Sequence, residues 1–145
     1  MIEMYQNPRI DGFTTNPTLM SKAGIKNYTS FAKNILDEII DKPVSFEVFA
    51  DDFIEMERQA LKIAKWGRNV YVKIPVMTTK RQPSFNLIRK LSQEGIQLNI
   101  TAVMTIDQIQ KVAEAVQGGK SCFVSVFAGR IADTGVDPVP VMNKA

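Results

Sequence analysis

Apolar and polar residues alternate along this chain with two distinct periods. From Val70 to Val76 the period is two: Val70, Val72, Ile74 and Val76 share one face, and Tyr71, Lys73 and Pro75 share the other. The same alternation sets Val44, Phe46 and Val48 against Ser45 and Glu47, Leu98 and Ile100 against Asn99 and Thr101, and Val124 and Val126 against Ser125. A shorter run puts Thr14 and Asn16 in one phase. These patterns predict strands over about 12–16, 44–50, 70–76, 97–102 and 122–128.

Helical spacing fills the intervals. Tyr28, Phe31, Ala32, Ile35, Leu36, Ile39 and Ile40 form one apolar face, and Phe53, Met56, Ala60, Ile63 and Ala64 form the next, with Asp51 and Asp52 as caps and Gly67 as the stop. A third helix carries Phe85, Ile88 and Leu91, with Pro83 in its first turn and Gly95 at its end. A fourth follows the Thr105–Gln108 capping box through Ile109, Val112, Ala113 and Val116 to Gly118 and Gly119.

The order βαβαβαβαβ with short connections implies an α/β fold built on a parallel sheet with right-handed crossovers. Both faces of an open doubly wound sheet are covered by helices, so its central strands read as almost wholly apolar. Here each strand has one oily phase and one polar phase, the requirement of a (β/α) barrel near its C-terminal rim. The expectation is a single barrel-type domain over residues 1–145, with an open α/β binding domain as the disfavoured alternative.

Composition removes several chemistries. The chain has 145 residues, 45% of them hydrophobic and 23% charged, and its net charge of +3 is scattered rather than clustered. That gives no nucleic-acid footprint. No apolar run approaches membrane-spanning length, and the start Met1-Ile2-Glu3-Met4 has no signal-peptide pattern, so neither nucleic acid nor membrane is expected as a partner. Cys122 is the sole cysteine, which points to a reducing, cytoplasmic compartment. There is no histidine, so His-based triads and the commonest metal ligand are absent, and no metal is expected. Glycine-rich phosphate loops are missing too, which leaves arginine or helix N-termini to hold an anion.

What remains is a constellation in the polar phase. A lysine in a strand interior must find a partner, lose its proton or snorkel to solvent. The second route makes it a nucleophile toward a carbonyl. Lys73 would form an iminium with a ketone, Glu47 and Thr101 would hold the water that makes and hydrolyses it, and Asn16 and Asn99 would bind hydroxyls. Arg130, just past the last strand, would take a phosphate together with Ser125. The duller readings make Ser45 and Thr14 barrel fillers, Glu47 a salt-bridge partner for Lys73, and Arg130 a surface charge.

Five stretches then bear a resemblance. Gly12-Phe13-Thr14-Thr15-Asn16-Pro17-Thr18-Leu19, Val44-Ser45-Phe46-Glu47-Val48, Val70-Tyr71-Val72-Lys73-Ile74-Pro75, Leu98-Asn99-Ile100-Thr101-Ala102-Val103 and Val124-Ser125-Val126-Phe127-Ala128-Gly129-Arg130-Ile131 resemble, in order and spacing, the motifs of the transaldolase family, its short members and the related fructose-6-phosphate aldolases. The resemblance runs from about Gly12 to Pro138. It implies that Lys73 is a Schiff-base lysine, that Glu47 and Thr101 serve the catalytic water, and that Asn16, Asn99, Ser125 and Arg130 bind sugar and phosphate. The implied reaction is cofactor-free transfer of a dihydroxyacetone unit between sugar phosphates, as in the non-oxidative pentose phosphate pathway. Glutamate at position 47, where the aldolase branch tends to have glutamine, leans toward transaldolase.

Two departures qualify the match. The family's first strand ends in a proton-shuttling aspartate that has no counterpart here, since the chain opens on what resembles the tail of the following helix. It stops at Val139-Pro140-Val141-Met142-Asn143-Lys144-Ala145, early in the helix after the sixth strand. The expected fold is therefore a partial (β/α)8 barrel, the equivalent of strands two to six. The expected function is a Schiff-base transaldolase weakened by truncation, with two alternatives: a fructose-6-phosphate aldolase-like enzyme, or a non-catalytic fragment that acts as an assembly module. Unpaired sheet edges also predict a homo-oligomer.

Overall fold

The computed structural model describes residues 1–145, the side chain of Leu19 excepted. Five strands, β1 (Phe13–Thr14), β2 (Val44–Glu47), β3 (Val70–Pro75), β4 (Leu98–Val103) and β5 (Cys122–Val126), alternate with helices α1 (Ile2–Tyr5), α2 (Pro17–Lys22), α3 (Tyr28–Glu38), α4 (Phe53–Ala64), α5 (Phe85–Gln93), α6 (Ile106–Val116), α7 (Ala128–Asp133) and α8 (Val139–Met142). The strands form one sheet in chain order, every neighbouring pair parallel. A doubly wound sheet would reverse its order at a switch point; this one runs a single way.

The sheet is curled. Asn99 Nδ2 on β4 donates to Ser45 Oγ on β2 at 2.9 Å, over the intervening β3. Strands two apart in a flat sheet are separated by about 9–10 Å, so two short side chains meet only where the sheet bends toward them. Five parallel strands in order, curled, with helices on the outside, make a partial (β/α) barrel. The oily phase packs under those helices: Val44, Phe46, Val72, Ile74, Leu98 and Ile100 are fully buried against Met56 and Ala60 of α4 and Ile88 and Leu91 of α5. Each large aliphatic side chain so removed from water contributes about 1.5–3 kcal/mol.

Helix ends follow their chemistry. Asn27 caps α3 by accepting from Ser30 N–H, Asp52 caps α4 by accepting from Ile54 and Glu55 N–H, and the Thr105–Gln108 capping box forms at α6. Gly12 lets β1 start hard against Pro43: an added Cβ would stand 2.8 Å from the proline ring and 2.9 Å from its carbonyl oxygen.

Several boundaries differ from the sequence expectation, each for a local reason. β1 is two residues long, because Pro17 already opens α2. β2 ends at Glu47 rather than at 50, since Gln59 Oε1 takes the Phe49 and Ala50 N–H groups at 2.7 and 3.1 Å. Pro83 lies in an antiparallel bridge with Met77, so α5 starts only at Phe85. α3 ends at Glu38 with Ile39 extended, which turns Ile40 outward to 67% exposure. α4 stops at Ala64, before Gly67. On α6 it is Ala115, not Ala113, that faces the core. β5 ends at Val126 because α7 starts at Ala128, and its oily-phase Val124 is 37% exposed at the sheet edge.

Candidate active site

The polar phase of the strands gathers on the concave face. Strand register sets Glu47 beside Lys73 and Lys73 beside Asn99, with Thr14 beside Ser45 and Thr101 one pleat beyond, opposite Pro75. Lys73 is 8% exposed, so it does not snorkel. Its Nζ donates to Glu47 Oε2 at 3.3 Å, and the carboxylate side chain keeps 22% of its surface. The pair thus sets a partly exposed carboxylate against a buried amine.

Asn99 is the hub of the row below. It donates to Ser45 Oγ at 2.9 Å and accepts from Ser125 Oγ at 2.7 Å, joining β2, β4 and β5. Thr101 is buried, and its Oγ1 has no hydrogen-bond partner. A buried hydroxyl in that state costs about 1–3 kcal/mol, and the Ser84 and Ser92 hydroxyls share it. The backbone beside Thr101 is irregular. From Ile100 to Val103 β4 takes three steps while β5 takes two, Val124 to Val126, and the extra residue is a bulge. Ala102 absorbs it at φ 60°, in the left-handed region that side chains other than glycine rarely adopt. The bulge returns Val103 to the oily face, fully buried, while Thr101 stays on the polar face.

A second network ties the ends of β1 and β2. Thr15 Oγ1 donates to the Ser45 carbonyl at 3.0 Å and lies 2.9 Å from the Tyr28 hydroxyl, which also accepts from Glu47 N–H at 2.8 Å. Sequence periodicity assigns Tyr28 only to an apolar helix face. Nothing in the spacing signals that its hydroxyl reaches the strand end 19 residues on.

Asn16 and Arg130 lie past the ends of their strands. Asn16 lies at the start of α2, its carbonyl accepting from Met20 N–H at 3.0 Å. Arg130 lies on α7 with 72% of its side chain exposed, donating to Asp133 at 3.1 Å. It borders a hollow of 460 Å³ lined by Val126–Arg130 and Asp133, whereas Ser125 lines another of 330 Å³ with Phe13, Thr14, Ser45, Asn99 and Phe123. The structure therefore brings Lys73 to Glu47 and Ser125 to Asn99, while Arg130 is paired with Asp133 and borders a different hollow from Ser125. A further hollow of 280 Å³, on the outer surface between α4 and α5, holds none of these polar strand residues. Among the described residues, no cluster of three or more His, Cys, Asp or Glu side chains could hold a metal ion, and no helix is long and apolar enough to cross a membrane.

Comparison with known proteins now decides the family. The Transaldolase/Fructose-6-phosphate aldolase family model matches residues 1–145. The chain belongs to that family. Among its relatives is a probable transaldolase of Dehalococcoides mccartyi, 40% identical over 134 residues, covering 92% of this chain and 58% of that protein. Probable transaldolases of Streptococcus equi subsp. zooepidemicus and Streptococcus pyogenes serotype M5 are 40% and 41% identical over the same coverage. The chain thus spans somewhat over half the length of these relatives.

Proposed function

We propose that this chain carries the lysine centre of a Schiff-base transaldolase. The observation that carries the reading is Lys73 itself: a buried lysine on the concave face, 3.3 Å from a partly exposed Glu47 carboxylate, in a chain of the transaldolase/fructose-6-phosphate aldolase family. Glu47 accepts the Lys73 proton, and the free amine adds to the keto carbon of a ketose phosphate. Loss of water, assisted by Glu47 and the unpartnered Thr101 hydroxyl, gives the iminium. The carbon–carbon bond next but one to that nitrogen then breaks. Its electron pair moves into the iminium to leave an enamine, the aldose departs as an aldehyde, and its hydroxyl proton goes to water on the concave face. The enamine adds to an acceptor aldose, and water returns to release the lysine. No cofactor takes part.

Asn99 and Asn16 bind the sugar hydroxyls in this reading, and Arg130 must leave Asp133 to take a phosphate together with Ser125. The family's other branch, an aldolase that releases free dihydroxyacetone, uses the same first steps; Glu47 in place of glutamine favours transfer. The setting that fits is the cytoplasmic non-oxidative pentose phosphate pathway, with the protein self-associated through its sheet edges as a single domain over 1–145. A second reading, a non-catalytic assembly module, draws on one observation: Arg130 is exposed and already paired with Asp133.

Borohydride added with dihydroxyacetone or fructose 6-phosphate separates the two. Reduction of the iminium leaves a stable secondary amine, and peptide mass mapping is expected to find it at Lys73 and lost in Lys73→Met. A folded sample with no adduct, or with one elsewhere, favours the assembly module. Glu47→Gln is expected to form the adduct more slowly.

A further inference from the structure

Glu47 needs something to hold it, and the neighbouring strand cannot. Alternate N–H groups of β2 point to opposite sides. Those of Val44 and Val48 donate to Asn69 and Lys73 carbonyls on the β3 side, at 2.9 and 3.2 Å. The Ser45 and Glu47 N–H groups therefore face β1. β1 ends at Thr14, and its last ladder contact is Thr15 N–H to the Ser45 carbonyl at 2.9 Å. No strand residue of β1 lies opposite Glu47, so its amide would be left without an acceptor at the point where its side chain meets Lys73.

The Tyr28 hydroxyl occupies that place, accepting from Glu47 N–H at 2.8 Å. Its own proton has one destination. Thr15 Oγ1 spends its single proton on the Ser45 carbonyl, so Tyr28 must donate to Thr15 Oγ1. The resulting chain runs Glu47 N–H to Tyr28 O, Tyr28 O–H to Thr15 Oγ1, and Thr15 O–H to the Ser45 carbonyl. Every polar atom in it is used. Burial pushes the Tyr28 phenol above its ordinary range, so the proton stays in place. The ring is held edge-on by Phe46 of β2, Phe49 and Trp66, with centroids at 5.9, 4.7 and 5.8 Å, which fixes the direction in which the hydroxyl points.

We propose that Tyr28 is a positioning residue for the Glu47 carboxylate, its hydroxyl replacing the carbonyl that a longer β1 would supply. The proposal rests on the Schiff-base reading above. Through Thr15 the same hydroxyl ties Glu47 to the chain just before Asn16, so two elements of the site are set by one helix side chain.

Tyr28→Phe tests it, because the ring and its edge-on contacts remain. Borohydride trapping of dihydroxyacetone at Lys73 is expected to slow about tenfold, the scale of a displaced catalytic group, and exchange of the Glu47 amide proton is expected to accelerate. In a Glu47→Ala background the same change is expected to slow trapping less than twofold, since the group through which Tyr28 acts is gone. Should Tyr28→Phe not fold, a fluorinated tyrosine at position 28 keeps the geometry with a weaker acceptor, and trapping is expected to slow in the same sense. Trapping as fast as in the parent chain, or equal slowing with and without Glu47, overturns the positioning role while leaving the Schiff base intact. A parent chain that is not trapped at all removes the Schiff-base reading and this proposal with it.

Discussion

Ser45 and Asn99, on strands separated by β3, share a 2.9 Å hydrogen bond on the concave face. The bond is a measure of the sheet's curl, and it also helps to hold it, since Asn99 accepts from Ser125 on the far side. Asn99→Leu would leave the buried Ser45 hydroxyl without a partner and put a branched apolar group in its row. The cost of buried polar groups left unpaired is about 1–3 kcal/mol, so denaturant unfolding is expected to lose about 2 kcal/mol. An unchanged midpoint would mean that the curl is set by the outer helices alone.

The strand phases of this site were legible before any coordinates. Lys73 and Glu47, Asn99 and Ser45 each fall on alternate positions of apolar runs, and a period of two is insensitive to errors at the ends of strands. What could not be read depended on long-range partners. Tyr28 reads as one more apolar position on a helix until the short β1 and the orphaned Glu47 amide are known. The Ala102 bulge leaves no mark in the sequence, because alanine is not the residue that a left-handed position advertises. The position of Arg130 just past the last strand suggests a phosphate shared with Ser125; in the structure α7 starts at once after β5 and the guanidinium donates to Asp133 on the same helix. Ile40 and Ala113 fit a helical stripe numerically, but an extended Ile39 and the rotation of α6 turn them to solvent.

Ala102 offers a direct test of the bulge. Holding a non-glycine residue at φ 60° costs about 1–2 kcal/mol, and glycine relieves part of that while losing more chain entropy on folding. Ala102→Gly is therefore expected to stabilise by about 0.5–1 kcal/mol, the usual scale of such backbone effects. Ala102→Val, β-branched at a positive φ, is expected to destabilise by more than 1 kcal/mol. Thermal melts of the pair decide it; equal shifts would show that the strain lies elsewhere.

The loops at the C-terminal ends of β2 and β3 are latched by a carboxylate. Asp51 accepts from the Thr79 N–H at 2.8 Å and from the Thr79 hydroxyl. Hydrogen bonding to Thr79, side chain first and then backbone, holds the Asp51 carboxyl below its ordinary range. A depressed folded-state value gives a contribution that is complete above the unfolded pKa of about 3.9 and is lost as pH falls through the folded value. The wild-type chain is expected to lose this latch only below that pH, with Thr79 amide exchange rising as the reporter. Asp51→Ala should exchange rapidly at every pH, and a parent profile that is already fast at pH 6 would contradict the latch.

The sheet edges carry the last prediction. β5 has one strand neighbour among the described residues, and it exposes an apolar side chain on each face, Phe123 and Val124. β1 is the other edge, and it is only two residues long. A strand that is open on both faces and along one side is a template for another chain. Pairing like edges about a two-fold axis perpendicular to the strands would set them antiparallel. A two-fold axis along the strands instead places β5 of one copy beside β1 of the other in parallel, at both seams. Sedimentation at micromolar concentration is expected to give a dimer, and Val124→Lys, a charge on the edge strand, is expected to shift it toward monomer. Exchange of the β5 amides is expected to quicken with dilution. A monomer that melts cooperatively, with those amides protected at every concentration, would show that the edge is covered by the chain itself.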